Sequence, residues 1–345
     1  VIAHQASQAV TITVNDVNES AVTTPVDTNT DANAVDENAT AGTLVGITAH
    51  ATDADATTNS IAYSTYSLAK DVDGLFTIDK DTGVVSVAGS IDREALGSSV
   101  EITVRATSAD GSTADSNYTI TINDLNDNAP TYASVSGSAS VDENSTGTAY
   151  TAHASDADAT SANNTVTYSL SGADAALFNV DSVTGAVSFI TSPDAESTVH
   201  GSSYSFNVLA DDGVIAHQAS QAVTITVNDL NDNAAVITSG TTGSEAENTA
   251  TTNVVYDANA TDADTVGTLT YSLTGTDASK FSIDGGTGEV RFITSPNFEA
   301  PTDSGANNVY DIIVNANDGV HNTTKDVAIS VTDANDVTPT ITSGT

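Results

Sequence analysis

Apolar and polar residues alternate strictly over many stretches of the chain. Val100, Ile102 and Val104 are interleaved with Glu101, Thr103 and Arg105, and Tyr118, Ile120 and Ile122 with Thr119, Thr121 and Asn123. Val223, Ile225 and Val227, and later Val327, Ile329 and Val331, repeat the arrangement. A period of two, rich in Val, Ile and Thr, predicts half-buried antiparallel strands. No apolar stripe of period 3.6 runs far enough to predict a useful helix. The chain is expected to be all-β, and this regular pattern outweighs the disorder that low hydrophobicity with high net charge would suggest.

The pattern itself recurs. Residues 1–16, VIAHQASQAVTITVND, return unchanged at 214–229, so the chain opens inside a repeat. Asp36-Glu37-Asn38 and Asp142-Glu143-Asn144 have a third copy in Glu245-Ala246-Glu247-Asn248. Tyr-Ser-Leu stands at 66–68, 168–170 and 271–273, and Phe76, Phe178 and Phe281 each precede a Thr-Gly pair. Such self-similarity at a spacing of about 102–108 residues marks a tandem array. We place units at 20–128, 129–233 and 234–336. Residues 1–19 are the C-terminal strand fragment of a preceding repeat, and 337–345 start a following one. About 105 residues with turns between short strands fits a seven-strand, immunoglobulin-like Greek-key β-sandwich. The Tyr-Ser-Leu and Phe positions are expected in cores, and each Thr-Gly in a hairpin turn. Residues 1–15 are expected to be loosely held or paired with another molecule's strand edge.

Composition narrows the function. The 345 residues carry 46 acids against 7 Lys and Arg, a net charge of −39. Of the acids 36 are Asp, a residue of turns and oxygen-rich cation sites rather than of helix faces. A polyanion does not neutralise phosphates, so neither nucleic acid nor an acidic membrane surface is an expected partner. The absence of Cys removes disulfides, thiol catalysis and Cys-based zinc sites, and suits a secreted bacterial protein. No segment approaches 18 apolar residues in a row and Val1 does not open a signal peptide, so any export signal or anchor is expected outside this fragment. No nucleophile elbow or phosphate loop appears, and an enzyme is not expected.

The acids gather at three recurring places. Asp124-Leu125-Asn126-Asp127-Asn128 closes the first unit, Asp229-Leu230-Asn231-Asp232-Asn233 the second and Asp333-Ala334-Asn335-Asp336-Val337 the third. Asp53-Ala54-Asp55, Asp156-Ala157-Asp158 and Asp262-Ala263-Asp264 stand early in each unit. Asp92-Arg93-Glu94, Asp194-Ala195-Glu196 and Asn297-Phe298-Glu299 stand in the middle. In extended chain, residues i and i+2 point the same way, so each pair aims two carboxylates at one place. At 4–5 Å two such charges repel by roughly 3–4 kcal/mol at an effective dielectric of about 20. Several pairs together therefore need a counter-cation or a loosened structure, and hard cations such as calcium take six to eight oxygens.

Taken in order and in three copies, these motifs resemble the cadherin repeat, in particular the bacterial cadherin-like repeats of large repeats-in-toxin surface adhesins. The resemblance covers nearly the whole chain and implies calcium between successive repeats, about three ions per complete junction. The first junction would draw on Glu37, Asp92, Glu94, Asp124, Asn126, Asp127 and Asn128, with Asp156, Asp158 and Asp212 from the second unit. The second would draw on Glu143, Asp194, Glu196, Asp229, Asn231, Asp232 and Asn233, with Asp262, Asp264 and Asp318. Leu125, Leu230, Asn164 and Gly267 would offer main-chain carbonyls. Asn297 and Val337 depart from the pattern and weaken the junction after the third unit. Upstream, Asp16, Asn18, Glu19, Asp53 and Asp55 are kept but the earlier repeat's Glu and Asp-x-Glu are missing, and Ser108 is placed opposite Asp212, with Asp110 two residues away, so that junction is expected to be poor.

The implied protein is an extracellular, calcium-rigidified extender of a bacterial cell-surface adhesin, serving cell adhesion, biofilm or host attachment as a monomeric rod without membrane insertion. The alternative is repeats that themselves bind carbohydrate, or pair with identical repeats on another cell.

Overall fold

The computed structural model describes residues 1–66, 74–199, 201–214 and 216–340. The chain is all-β, as the alternation predicts. Residues 26–123 supply β1 (Val26–Asp27), β2 (Ala34–Asp36), β3 (Leu44–His50), β4 (Ile61–Tyr66), β5 (Phe76–Ile78), β6 (Val84–Val87), β7 (Ser99–Ser108) and β8 (Thr113–Asn123). They form two four-stranded sheets, ordered β1-β3-β6-β5 and β2-β8-β7-β4. β1 and β2 share one edge segment between the sheets: β1 pairs antiparallel with β3, and β2 parallel with β8. Counted as one strand, they bring the total to the expected seven.

Burial follows the sequence period. Along β8, Tyr118, Ile120 and Ile122 are buried while Thr119, Thr121 and Asn123 face solvent. Their apolar faces join Val45 and Ile47 of β3, Val85 and Val87 of β6, and Ile102 and Val104 of β7 in one core. Each fully buried Ile or Val contributes roughly 1.5–3 kcal/mol.

The chain packs as two compact units, residues 1–135 with 153–169 and 209–221, and residues 136–152 with 170–208 and 222 onward. In the first unit, Thr131–Tyr132 pairs antiparallel with Ala154–Ser155. In the second unit, Ser136–Asp142 runs parallel to Ala222–Asn228, and Thr242–Ala246 parallel to Ala328–Thr332. These parallel edges depart from the purely antiparallel expectation, because period-two alternation encodes which face is buried and not the direction of the neighbour. Val309–Asn317 pairs antiparallel with both Thr270–Thr274 and Asn322–Thr332. Phe281 packs on Phe292 with centroids 4.4 Å apart and edge-on to Tyr310 at 5.7 Å, in that repeat's core.

The expected hairpin turns are present. Asp79, Asp181 and Asp284 each accept from the N–H groups two and three residues onward through Oδ1. The following Gly83 has φ +72°, and a Cβ there would stand 2.0 Å from the Ala49 carbonyl oxygen. The tyrosine equivalence needs correction. Tyr168 and Tyr271 accept from Ala154 and Ala260 N–H through their hydroxyls, both at 3.0 Å, and Tyr63 does the same for Ala51 at 3.0 Å. Tyr63 fills this role in the first repeat; the Tyr66 side chain, Ser67 and Leu68 lie outside the described residues, as do 341–345. Residues 1–25 have no regular secondary structure. Val10, Ile12 and Val14 are exposed, whereas the identical sequence at Ala219–Asn228 is a strand with Val223, Ile225 and Val227 buried.

Candidate metal centres

Three buried glutamates organise the acidic loops. Glu37 accepts from Leu125 N–H at 2.7 Å through Oε1 and from Arg93 N–H at 2.8 Å through Oε2. Glu143 repeats this with Leu230 at 2.7 Å and Ala195 at 2.9 Å, and Glu247 with Ala334 at 2.9 Å and Phe298 at 2.8 Å. All three are at most 3% exposed. The next residue in each motif, Asn38, Asn144 or Asn248, takes a left-handed conformation with φ of 57°, 60° and 56°. Asn tolerates that region better than most residues. Their amides donate to Asp127, Asp232 and Asp336. Each Glu-Asn pair thereby draws the middle loop and the closing loop of its repeat to one place.

In the first junction, which lies within the first unit, two acidic groups form. Oxygens of Glu37, Glu94 and Asp127 lie within 4.8 Å of one another, as do those of Asp156, Asp158 and Asp212. Asp124 accepts from Ala159 N–H and Thr160 N–H, both at 3.0 Å, and from the Asn163 amide at 2.8 Å. Asp158 accepts from Asn128 N–H at 3.2 Å. Asn126 donates to the main-chain carbonyls of Asn163 and Asp212, while Asn164 gives its own N–H to the Thr160 carbonyl. Leu125 contributes its N–H to Glu37. Asp92 caps the short helix Arg93–Leu96 by accepting from Ala95 N–H at 3.0 Å.

The second junction, within the second unit, has the same plan. Glu143, Asp194 and Glu196 converge within 4.8 Å, as do Glu196, Asp232 and Asp264. Asn233 donates its N–H and its amide to Asp264, at 2.9 and 2.7 Å. Asp229 accepts from Thr265 N–H at 2.6 Å, Asp262 from Asp264 N–H at 3.2 Å, and the Asn231 amide donates to the Asp318 carbonyl at 3.0 Å. Gly267 is required and not merely tolerated. Its φ is +96°, and a Cβ would stand 2.6 Å from the Asn231 amide nitrogen and 2.7 Å from the Asp318 carbonyl oxygen.

The structure adds residues that counting along the sequence misplaced. Asp110 joins Asp53 and Asp55 within 4.8 Å, so Asp110 and not Ser108 is the counterpart of Asp212. The signal was the Asp-Gly pair, shared by Asp110-Gly111, Asp212-Gly213 and Asp318-Gly319. Upstream, Asp16 accepts from Thr57 N–H at 3.1 Å and Asp55 from Ser20 N–H at 3.3 Å, as Asp124 and Asp158 do in the first junction. His217 and His321 place Nδ1 at 3.0 Å from Asp212 and 3.3 Å from Asp318.

Crowding shows in the acidities. Burial, then the charges of Glu143 and Asp229, push Glu196 up to about 7. Burial and the neighbouring Glu37 raise Glu94, and burial with the charges of Asp158 and Asp212 raises Asp156. The Thr265 hydroxyl holds Asp229 below the usual carboxylate range, and the His321 N–H does the same for Asp318.

The donor set fits a hard dication. Asp156 Oδ2, Asp158 Oδ2 and Asn126 Oδ1 in the first junction, and Asp229 Oδ1 and Asn231 Oδ1 in the second, are buried oxygens without a hydrogen-bond partner. Unmatched buried acceptors are costly unless something else satisfies them, and an all-oxygen set matches calcium.

The family model for the cadherin domain matches residues 32–123 and 137–228, more than half of the chain. Human protocadherin Fat 1 is 31% identical over 351 residues, which cover 97% of this chain and 7% of that protein. Mouse cadherin EGF LAG seven-pass G-type receptor 2 is 30% identical over 296 residues, 83% of this chain and 10% of that protein. The chain thus spans a tenth or less of these relatives. Among solved structures, mouse cadherin-23 EC22-24 superimposes with a TM-score of 0.67 at 27% identity, covering 90% of this chain and 99% of that one. A protocadherin gammaB7 EC3-6 cis-dimer structure reaches a TM-score of 0.75 at 22% identity, over 92% of this chain and 78% of that one.

Proposed function

The chain belongs to the cadherin family, and from that premise we propose that it is a calcium-stiffened extender in a cell-surface adhesin, built of repeats 20–128, 129–233 and 234–336. Residues 1–19 and 337–345 are then parts of neighbouring repeats. Cadherin repeats are extracellular adhesion domains rather than enzymes, and this chain carries them in tandem.

In this reading the first junction binds calcium through Glu37, Asp92, Glu94, Asp124, Asp127, Asp156, Asp158 and Asp212, with Asn126 Oδ1 and the carbonyls of Leu125, Asn128 and Asn164. The second uses the corresponding set from Glu143 to Asp318, with Leu230, Asn233 and the Gly267 carbonyl. The observation that carries the reading is the group of unmatched, buried oxygens on Asp156, Asp158 and Asn126. Each junction holds eight acids, and about three dications would offset most of that charge. The chain's own part is positional. Glu37 and Glu143 fix the loops, Asn38 and Asn144 steer Asp127 and Asp232, and the early Asp-x-Asp pair faces them from the next repeat. A bacterial adhesin of the repeats-in-toxin kind suits a chain without Cys that is rich in Asp and holds a 16-residue internal identity.

Calorimetric titration of the intact chain with calcium, followed by small-angle X-ray scattering with calcium and with chelator, tests the reading. Uptake of several ions together with a longer, better-defined maximum dimension is expected. A chain that binds no calcium overturns it.

A further inference from the structure

The two complete junctions differ in one cation. The middle motif reads Asp92-Arg93-Glu94 in the first repeat but Asp194-Ala195-Glu196 in the second. Arg93 is one of only seven Lys and Arg residues, and it is turned inward. Its side chain is 15% exposed and that of Asp124 is 3% exposed, with Nε 3.3 Å from Asp124 Oδ1. Nη1 donates to the Ile122 carbonyl at the end of β8, which fixes the guanidinium beside the closing loop. Asp124 Oδ1 also receives Ala159 N–H at 3.0 Å. At the equivalent place Asp229 Oδ1 is buried with no hydrogen-bond partner. Both junctions also present buried oxygens without a hydrogen-bond partner: Oδ2 of Asp158, which is 2% exposed, in the first, and Oδ1 of Asp229 in the second.

We propose that Arg93 is a resident counter-cation that grades the two junctions: the first keeps its closing loop ordered without calcium and binds the ion more weakly, whereas the second depends on it. This rests on the calcium-junction reading above. Arg93 acts through Asp124 and is therefore a positioning residue. It does in part what the ion does: its Nε makes no hydrogen bond, but its positive charge offsets a buried carboxylate whose Oδ1 is already satisfied by Ala159 N–H. The same charge repels an arriving dication. A unit charge about 6 Å from a dication changes affinity roughly tenfold even at the dielectric of water.

The test is hydrogen–deuterium exchange on the intact chain at stepped free calcium, following residues 124–128 and 229–233 separately, for wild type, Arg93→Ala, Arg93→Lys and Ala195→Arg. In chelator, wild-type 124–128 should exchange more slowly than 229–233, and Arg93→Ala should abolish the difference. The calcium concentration that protects 124–128 should fall about tenfold in Arg93→Ala and return in Arg93→Lys. Ala195→Arg should raise the concentration needed at 229–233. Protection of β7 and β8 reports whether each variant is folded, and should Arg93→Ala unfold, Ala195→Arg decides alone. Calcium protection unmoved by either substitution overturns this inference while leaving calcium binding intact. A chain that takes up no calcium overturns both.

Discussion

Glu143 Oε1 accepts the amide proton of Leu230 at 2.7 Å across 87 positions of sequence, and its other oxygen holds Ala195. One buried side chain thus ties the middle and closing loops of the second repeat before any ion arrives. Glu143→Gln keeps the shape but turns a donor toward one of those N–H groups. It should lower metal-free stability by about 1–3 kcal/mol, since a buried donor is left facing a donor. Chemical denaturation in chelator, together with a loss of calcium uptake at the second junction, checks it.

Gly267→Ala tests the close approach beside Asn231. A side chain at φ +96° costs about 1–2 kcal/mol in backbone strain alone. The added methyl must also displace the Asn231 amide or the Asp318 carbonyl. Weaker calcium binding at the second junction and a lower melting temperature are expected; an unchanged calcium isotherm would show that this carbonyl is dispensable.

The acidity of Glu196 sets a pH dependence in chelator. Its value is raised from 4.5 to about 7, so the folded second repeat holds a proton that the unfolded chain has released. Stability from this group is complete below about pH 4.5 and is lost as pH rises through about 7. Glu94 and Asp156 are shifted in the same direction. Melting temperature in chelator should therefore fall between pH 5 and 8, and Glu196→Gln should flatten that slope. A profile that rises over this range would contradict the assignment.

Asp110 gives a prediction at the upstream site. Its Oδ1 accepts from both the N–H and the hydroxyl of Ser112, at 2.7 Å each, and Ser112 Oγ accepts from Val22 N–H at 3.0 Å. Asp110→Ala should lower stability through these lost bonds. It should also remove the weakest class of terbium luminescence sites while sparing those at Asp212 and Asp318. Equal loss at all sites would mean that Asp110 acts on stability alone.

The faces of the strands were legible because burial of Ile120 and Ile122 is written in their alternation with Thr119 and Thr121. The direction of pairing was not, since Val35 beside Ile122 would look the same in either orientation. The acidic motifs were legible as clusters because i, i+2 spacing in extended chain aims side chains together. Register between repeats was harder. Counting placed Ser108 opposite Asp212 and Tyr66 opposite Tyr168, but local geometry selects Asp110, which shares the Asp-Gly turn, and Tyr63, whose hydroxyl meets Ala51. The 16-residue duplicate shows the limit of local pattern. The same residues form a strand at 219–228, where Ser136–Asp142 lies alongside, and none at 6–15.

The parallel edge in each repeat joins its first strand to its last, and these are the strands through which a pull along the chain enters and leaves. Tension therefore drags the two past one another lengthwise, so that their rungs resist together instead of opening one at a time. The register holds three residue pairs in the first repeat, seven in the second and five in the third. Counted by these rungs alone, the edge at Ala34–Asp36 is expected to give way first under load and the one at Ser136–Asp142 last, an order that single-molecule pulling in chelator checks.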